Sequence, residues 1–270
     1  MCSYSQRHWR LPHRPTSIIL RRHDICAELS QAKPSHDTLS TAFIAATTQI
    51  DAFSREPREP SMPSDFEKQS YWHERFVSEQ AFEWLVPSER FVQELEPRLA
   101  RLEKSARVLH LGCGTSDVHN HLRRRGFTNV TNVDYEPLAI ERSRALEQAA
   151  FGDTAMEYVV ADATQLCSGD AAWAGQFDLV LDKSTADAIS CGGEEAVRKM
   201  AAGVKASLAT DGAWISMSYS ATRFAFLDGL LFKVDVLARV PTAKARSNDP
   251  DVHHYCYVLE PRAGEALLAC

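Results

Sequence analysis

Val108-Leu-His-Leu-Gly-Cys-Gly-Thr-Ser116 and, soon after it, Asn129-Val-Thr-Asn-Val-Asp134 decide how this chain is read. The apolar run Val108–Leu111 is cut by two glycines one residue apart, and an aspartate ends a second apolar run twenty residues past the second glycine. The pattern predicts a buried strand, a tight turn, a helix, and a second strand with a carboxylate at its tip. Glycine suits the turn because it takes positive φ and lets a ligand approach the backbone closely. A carboxylate at that strand tip has two oxygens to accept from a ribose diol. Together these features predict a nucleoside site.

The third position of the turn narrows the nucleoside. A dinucleotide fingerprint continues Gly-x-Gly-x-x-Gly, with a helix N-terminus facing pyrophosphate. Here Asp117 stands in the third place and would set a carboxylate against an anion. The turn therefore argues against NAD and for a ligand without phosphates. S-adenosylmethionine, an adenosine carrying a sulfonium cation, fits Gly112, Gly114 and Asp134.

The 270 residues suffice for one large domain with an appendage. Net charge is −6 and unevenly spread: residues 1–61 hold 8 Lys and Arg against 6 Asp and Glu, leaving 22 against 30 over residues 62–270. An acidic body is a poor start for gripping a phosphate backbone, so no nucleic-acid partner is expected. It suits a basic protein or an amine as substrate. No apolar run approaches the ~20 residues of a membrane span, so no membrane partner is expected. The seven cysteines include no C-x-x-C pair and read as reduced thiols of an intracellular protein. His119 and His121 would face apart on a helix, while His254 and Cys256 would share one face of a strand. Zinc wants three or four ligands, so no metal is expected.

Residues 1–61 read as an N-terminal extension, ahead of a domain expected over 62–265. The first 63 residues lack sustained periodicity and are punctuated by Pro12, Pro15, Pro34, Pro57, Pro60 and Pro63. Three readings stand for the extension: a segment disordered or spurious (if translation begins at Met62), a targeting signal, or a partner-binding segment. Five arginines and no acid in the first 23 residues resemble a mitochondrial presequence. Pro12 and Pro15 weaken the helix such a signal needs. The expected location is cytoplasmic, or mitochondrial if the Arg-rich start is genuine.

From residue 66 the pattern is α/β. Pro87 opens a helix running to about Leu102, and strand one is Val108–Leu111. A helix from Asp117 to Arg125 stops at Gly126. Strand two is Val130–Val133, and Pro137 opens a helix through about Gln148 with Leu138, Ile140 and Leu146 as core candidates. Strands follow at Met156–Val160, Phe177–Leu181 and Trp214–Ser218, with a helix over Glu195–Leu208. Leu231–Val240 and Val252–Leu259 read as an antiparallel pair. The expected fold is a Rossmann-like, doubly wound, seven-stranded sheet, mostly parallel, with a C-terminal antiparallel hairpin. Gly112, Asp134, Asp162 and Asp182 all fall at strand carboxyl ends, where such sheets bind ligands.

Several motifs carry a family resemblance. They are Tyr71-Trp-x-x-Arg-Phe76, Phe82-Glu-Trp84, Leu109-His-Leu-Gly-Cys-Gly-Thr-Ser116 and Asn132-Val-Asp-Tyr135. Asp162-Ala163, Asp182-Lys-Ser-Thr-x-Asp-Ala188 and His254-Tyr-x-Tyr-Val-Leu259 complete the set. On these residues, spanning roughly 70–260, the chain resembles the class I S-adenosylmethionine-dependent methyltransferases. More narrowly, it resembles the translation-elongation-factor lysine methyltransferase group, which includes the endothelin-converting-enzyme-2-like enzymes. The resemblance implies that Gly112 lets the backbone pass close to the methionine part of the cofactor, that Gly114 belongs to the same cofactor site, and that Asp134 holds both ribose hydroxyls. It implies Tyr135 against the adenine, Asp162 accepting its amino group, and Ala163 donating to a ring nitrogen. Trp72, Phe76 and Trp84 would close an aromatic lid, and Lys183 is a family cofactor-contact position. Asp182 is the catalytic candidate, orienting the acceptor amine; capping a loop or orienting Lys183 is its other reading. Asp187 reads as a helix-start residue.

The chain departs from the group at Ser184, where glycine is usual, at Ala186 (a bulky apolar residue), Phe76 (tyrosine) and Thr115 (asparagine). The segment Ser216–Arg223 keeps its serine and arginine but lacks the usual proline. These changes fall toward the acceptor side. The resemblance thus implies an N-methyltransferase acting on a protein lysine, for example of a translation factor. A small-molecule methyltransferase acting on an amine or peptide natural product, and a non-catalytic cofactor-binding module, are the alternatives.

Overall fold

Alternating apolar runs and amphipathic stretches assemble into one sheet covered on both faces. A computed structural model describes residues 65–166, 173–244 and 246–262; the readings of residues 1–61 lie outside these. The elements are α1 (Gln69–Ser78), α2 (Ser88–Leu99), β1 (Val108–Leu111), α3 (Val118–Arg124), β2 (Val130–Asp134), α4 (Pro137–Phe151) and β3 (Glu157–Val160). They continue as β4 (Phe177–Lys183), α5 (Thr185–Ile189), one turn of 3-10 helix (Ser190–Gly192), α6 (Glu194–Ser207), β5 (Leu208–Ser218), β6 (Phe232–Pro241) and β7 (His253–Pro261).

The strand order is β3-β2-β1-β4-β5-β7-β6. The first five strands run parallel, and β7 lies antiparallel between β5 and β6. The chain turns back at β1, with β2 on one side and β4 on the other, so the crevice over β1 and β4 is the switch point where ligands bind. The expected architecture is the observed one.

Period-two alternation sorts the strand residues between two cores. Val108, Leu179, Leu181, Ile215 and Met217 pack with Phe91, Leu95, Val118 and Leu122 of α2 and α3. Leu109, Leu111, Val180 and Trp214 pack on the other face with Val197, Met200, Ala201 and Val204 of α6, and with Phe224 and Phe232.

Some local expectations change. Helix α2 starts at Ser88, with Pro87 as its cap, and ends at Leu99 rather than Leu102. In α4 only Ile140 of the three core candidates is buried; Leu138 and Leu146 are half-buried, and the inner stripe is Ala139, Ile140, Ser143 and Glu147. Glu147 faces inward because its carboxylate accepts from Tyr158 Oη (2.9 Å), Arg123 (2.6 Å) and the Ala155 N–H (3.1 Å). Helix α1 was not foreseen: it buries only Phe76, so it has no apolar stripe to read.

Candidate functional site

The floor of the site is the glycine turn. Gly112 and Gly114 take φ of +59° and +54°, where a side chain is strained. Gly112 has a second reason to be glycine: a Cβ there would lie 2.1 Å from Thr185 Oγ1. That hydroxyl donates to Leu111 O (3.0 Å), which fixes the start of α5 against the turn. At Gly114 the nearest atoms to a Cβ are 3.9 Å away, so only its φ demands glycine.

Asp134 closes the next edge. Its two oxygens accept the Gly114 and Glu136 backbone N–H groups, each at 3.0 Å, so the carboxylate is held rigid at the strand tip. Burial pushes its pKa up to about 6, opposed by those hydrogen bonds. Tyr135 follows it, half-buried, with its carbonyl accepting from Gln69 of α1 (2.7 Å). Asp162 and Ala163 stand beyond β3. Asp162 is committed to its own turn, accepting from the Thr164 N–H and hydroxyl (both 2.8 Å) and from Gln165 (3.0 Å).

The roof comes from α1 and the segment after it. Trp72 packs on Phe76 (ring centroids 5.5 Å apart) and edge-on to Trp84 (5.7 Å), and donates its indole N–H to Phe66 O (2.6 Å). Arg75 explains the Tyr-Trp-x-x-Arg spacing. Its guanidinium lies 4.6 Å from the Trp84 ring and 4.9 Å from Phe82, and it donates to Glu79 (2.5 Å) and Tyr71 (3.0 Å).

Trp72, Phe76, Trp84, Gly112, Gly114, Asp134, Tyr135, Asp162, Ala163 and Lys183 all line one cavity of about 340 Å³. That is the size range of small-ligand pockets. The cavity also takes in Phe66, Glu67, Ser184, Thr185, Ile189 and Ala196, to which the sequence assigned no cofactor role. Thr185 was legible only as part of a motif, and Phe66 stands in no periodic stretch.

Asp182 does not reach the cavity. It is fully buried on the α6 side of the sheet, accepting from the Trp214 indole N–H (2.7 Å) and the Ala186 N–H (3.1 Å). The amine-orienting role expected for it is therefore replaced by an internal one: it caps the start of α5. Its pKa rises to about 6 through burial, again opposed by its donors. Asp187 is likewise buried within α5, accepting from Arg223 Nε (2.8 Å), Ser218 Oγ (2.5 Å) and the Tyr219 N–H (3.1 Å). It pins the segment after β5. Ser184 sits at φ +73°, the left-handed region that explains glycine at this position in the resembled group.

Among the described residues no group of three or more His, Cys, Asp or Glu is placed to hold a metal ion. None of the described helices is long and apolar enough to cross a membrane.

Comparison with known proteins identifies the family. The family described as a methyltransferase domain matches residues 109–215. The methyltransferase srdJ of Neurospora crassa is 60% identical over 204 residues, 75% of this chain and 87% of that protein. EEF1A lysine methyltransferase 4 of Mus musculus is 29% identical over 62% of this chain and 67% of its own. Among solved structures, the N-methyltransferase NodS from Bradyrhizobium japonicum WM9, in complex with S-adenosyl-l-homocysteine, superposes with a TM-score of 0.52. At 18% identity over 71% of this chain and 99% of that one, it speaks for the fold. The chain belongs to the class I S-adenosylmethionine-dependent methyltransferases.

Proposed function

We propose that the chain transfers a methyl group from S-adenosylmethionine to an amine, the side chain of a protein lysine. Charge carries this reading. The carboxylates of Glu67, Asp134 and Asp162 line the cavity, and Lys183, the cation among its described lining residues, is paired with Glu83. Such a wall favours a cationic cofactor and a basic acceptor. The likeness to a protein named as an EEF1A lysine methyltransferase supports the same acceptor class.

In this reading Asp134, already oriented by two backbone N–H groups, receives the ribose hydroxyls through its remaining lone pairs. Tyr135, Asp162 and Ala163 take the adenine, and the Gly112–Gly114 backbone lies along the methionine part. When bound, S-adenosylmethionine would supply an electrophilic methyl group to the acceptor nitrogen, the S–CH3 bond breaking as the N–CH3 bond forms and S-adenosylhomocysteine leaving. The protein supplies alignment and a dry roof: Phe66, Trp72, Phe76 and Trp84 exclude water, which disfavours the ammonium form of a lysine whose free pKa is ~10.4. Aromatic faces also attract a sulfonium by ~0.5–2 kcal/mol.

A small-molecule amine or peptide is the second reading. The apolar wall of Ala188, Ile189 and Ala196 supports it, because that wall could seat a compact apolar group. Incubating the protein and methyl-labelled S-adenosylmethionine with a lysate, then separating macromolecules from metabolites, decides between them. Label on a protein band, mapped to lysine by mass spectrometry, supports the first; label only in metabolites replaces it with the second.

A further inference from the structure

Lys183 ends β4 on the face opposite Asp182, with its side chain 3% exposed. Its ammonium donates to Glu83 Oε2 (2.6 Å), Trp84 O (3.0 Å) and Val86 O (3.2 Å), which accounts for all three of its protons. All three acceptors belong to the short segment that carries Trp84 of the roof. Glu83 is itself steadied by Ser88, whose hydroxyl donates to its other oxygen (2.6 Å). Within the segment Leu85 holds φ +62°, a left-handed conformation that persists only where its surroundings impose it. The start of the segment is tied to the glycine turn, where Thr115 Oγ1 accepts the Phe82 N–H (3.2 Å) and donates to Glu79 (3.1 Å).

Lys183 lines the cavity, so a cationic cofactor bound there would share a wall with a buried ammonium. Two like charges in a low-dielectric site repel unless one is neutralised. Glu83 supplies that neutralisation, and it does so only while the segment lies closed.

We propose that Glu83 and Lys183 form a latch whose strength depends on the charge of the bound cofactor. Opening the roof parts Glu83 from Lys183 and leaves a bare ammonium facing the sulfonium. The roof therefore opens reluctantly over S-adenosylmethionine and readily over S-adenosylhomocysteine, whose sulfur is uncharged. The pair holds the methyl donor until transfer and then lets the product go. This rests on the cofactor occupying the cavity beneath the roof.

Calorimetric titration of the full chain with each of the two ligands tests it, in wild type, Glu83→Gln, Lys183→Met and Asp134→Asn. Glu83→Gln leaves the cation uncompensated, so its affinity for S-adenosylmethionine should fall about tenfold more than that for S-adenosylhomocysteine. Lys183→Met removes the cation and leaves the Glu83 carboxylate, so the affinity for S-adenosylmethionine should fall less than that for S-adenosylhomocysteine, the reverse of the order in Glu83→Gln. Equal losses of the two ligands in Glu83→Gln, or a loss in Lys183→Met at least as large for S-adenosylmethionine as for S-adenosylhomocysteine, overturn the latch. Hydrogen exchange over residues 82–86 gives a readout without substitution: it should be slower with S-adenosylmethionine than with S-adenosylhomocysteine, and equal rates overturn the proposal. If Lys183→Met is unfolded by circular dichroism, Glu83→Gln and the exchange comparison decide. Unchanged binding in Asp134→Asn would instead show that the cofactor lies elsewhere, which separates failure of the cavity from failure of the latch.

Discussion

Asp182 and Trp214 meet in a 2.7 Å hydrogen bond with both side chains fully buried, so the aspartate at the end of β4 serves the core. Asp182→Asn keeps one acceptor oxygen and should cost about 1–3 kcal/mol of stability, the penalty of a buried donor left poorly paired. Turnover should stay within about tenfold of wild type, whereas loss of a general acid or base typically costs 10²–10⁴-fold. Urea denaturation beside a methyl-transfer assay reads both. A folded Asp182→Asn protein reduced a hundredfold or more would return Asp182 to the chemistry.

The two glycines of the turn should respond differently to the same change. Gly114→Ala meets only the left-handed φ and should lose roughly 1–2 kcal/mol. Gly112→Ala meets that strain and also Thr185, 2.1 Å from the new methyl. Thr185 cannot swing away without giving up its bond to Leu111 O, so about 2–5 kcal/mol is expected. Equal melting temperatures for the two variants would refute the contact with Thr185.

Ser184 should be improved by glycine. It holds φ +73° and its side chain makes no capping hydrogen bond, so Ser184→Gly relieves strain without losing a partner. The gain should be roughly 1 kcal/mol, or about 2–4 °C in melting temperature for a chain of this size. Calorimetry checks this, and a lower melting temperature would mean that the hydroxyl is bonded.

His119 makes a pH prediction. Buried edge-on to Tyr158 at 5.9 Å, its ring is held down to about pKa 3 by desolvation. The unfolded ring takes up a proton near pH ~6.5 and the folded one does not, so the stability is present above that pH and is lost as pH falls toward 3. His110, held to about 4 by burial, acts in the same sense. Asp134 and Asp182, raised to about 6, act in the opposite sense: their contribution is present below ~3.8 and lost as pH rises through 6. His119→Phe isolates one ring. Its stability relative to wild type should be about 2 kcal/mol more favourable at pH 5 than at pH 7, and an unchanged difference would sink the assignment.

How much was legible depends on how local each signal is. The turn at Gly112 and Gly114, the carboxylate at Asp134 and the strands around them rest on φ, apolarity and spacing, all carried by neighbouring residues. Helix α1 was not legible, because its inner side covers a cavity and it has little core to face. Glu83 stood in a quoted motif without a role, since its partner Lys183 lies 100 residues further along the chain. Glu147 joins the inner stripe of α4 in place of an expected apolar residue because Arg123 and Tyr158, on other elements, satisfy it.

By itself the sequence determined the order of the strands, the glycine turn and the residues that gather at the strand ends. Backbone sterics and the two periods of hydrophobicity are properties of short stretches. Only the tertiary structure decided which of the adjacent pair Asp182 and Lys183 faces the cavity. Alternation along a strand says that neighbours point to opposite faces, and only the packing of the segment after α1, which takes the Lys183 ammonium, and of Trp214, which takes the Asp182 carboxylate, says which of the two lines the cavity.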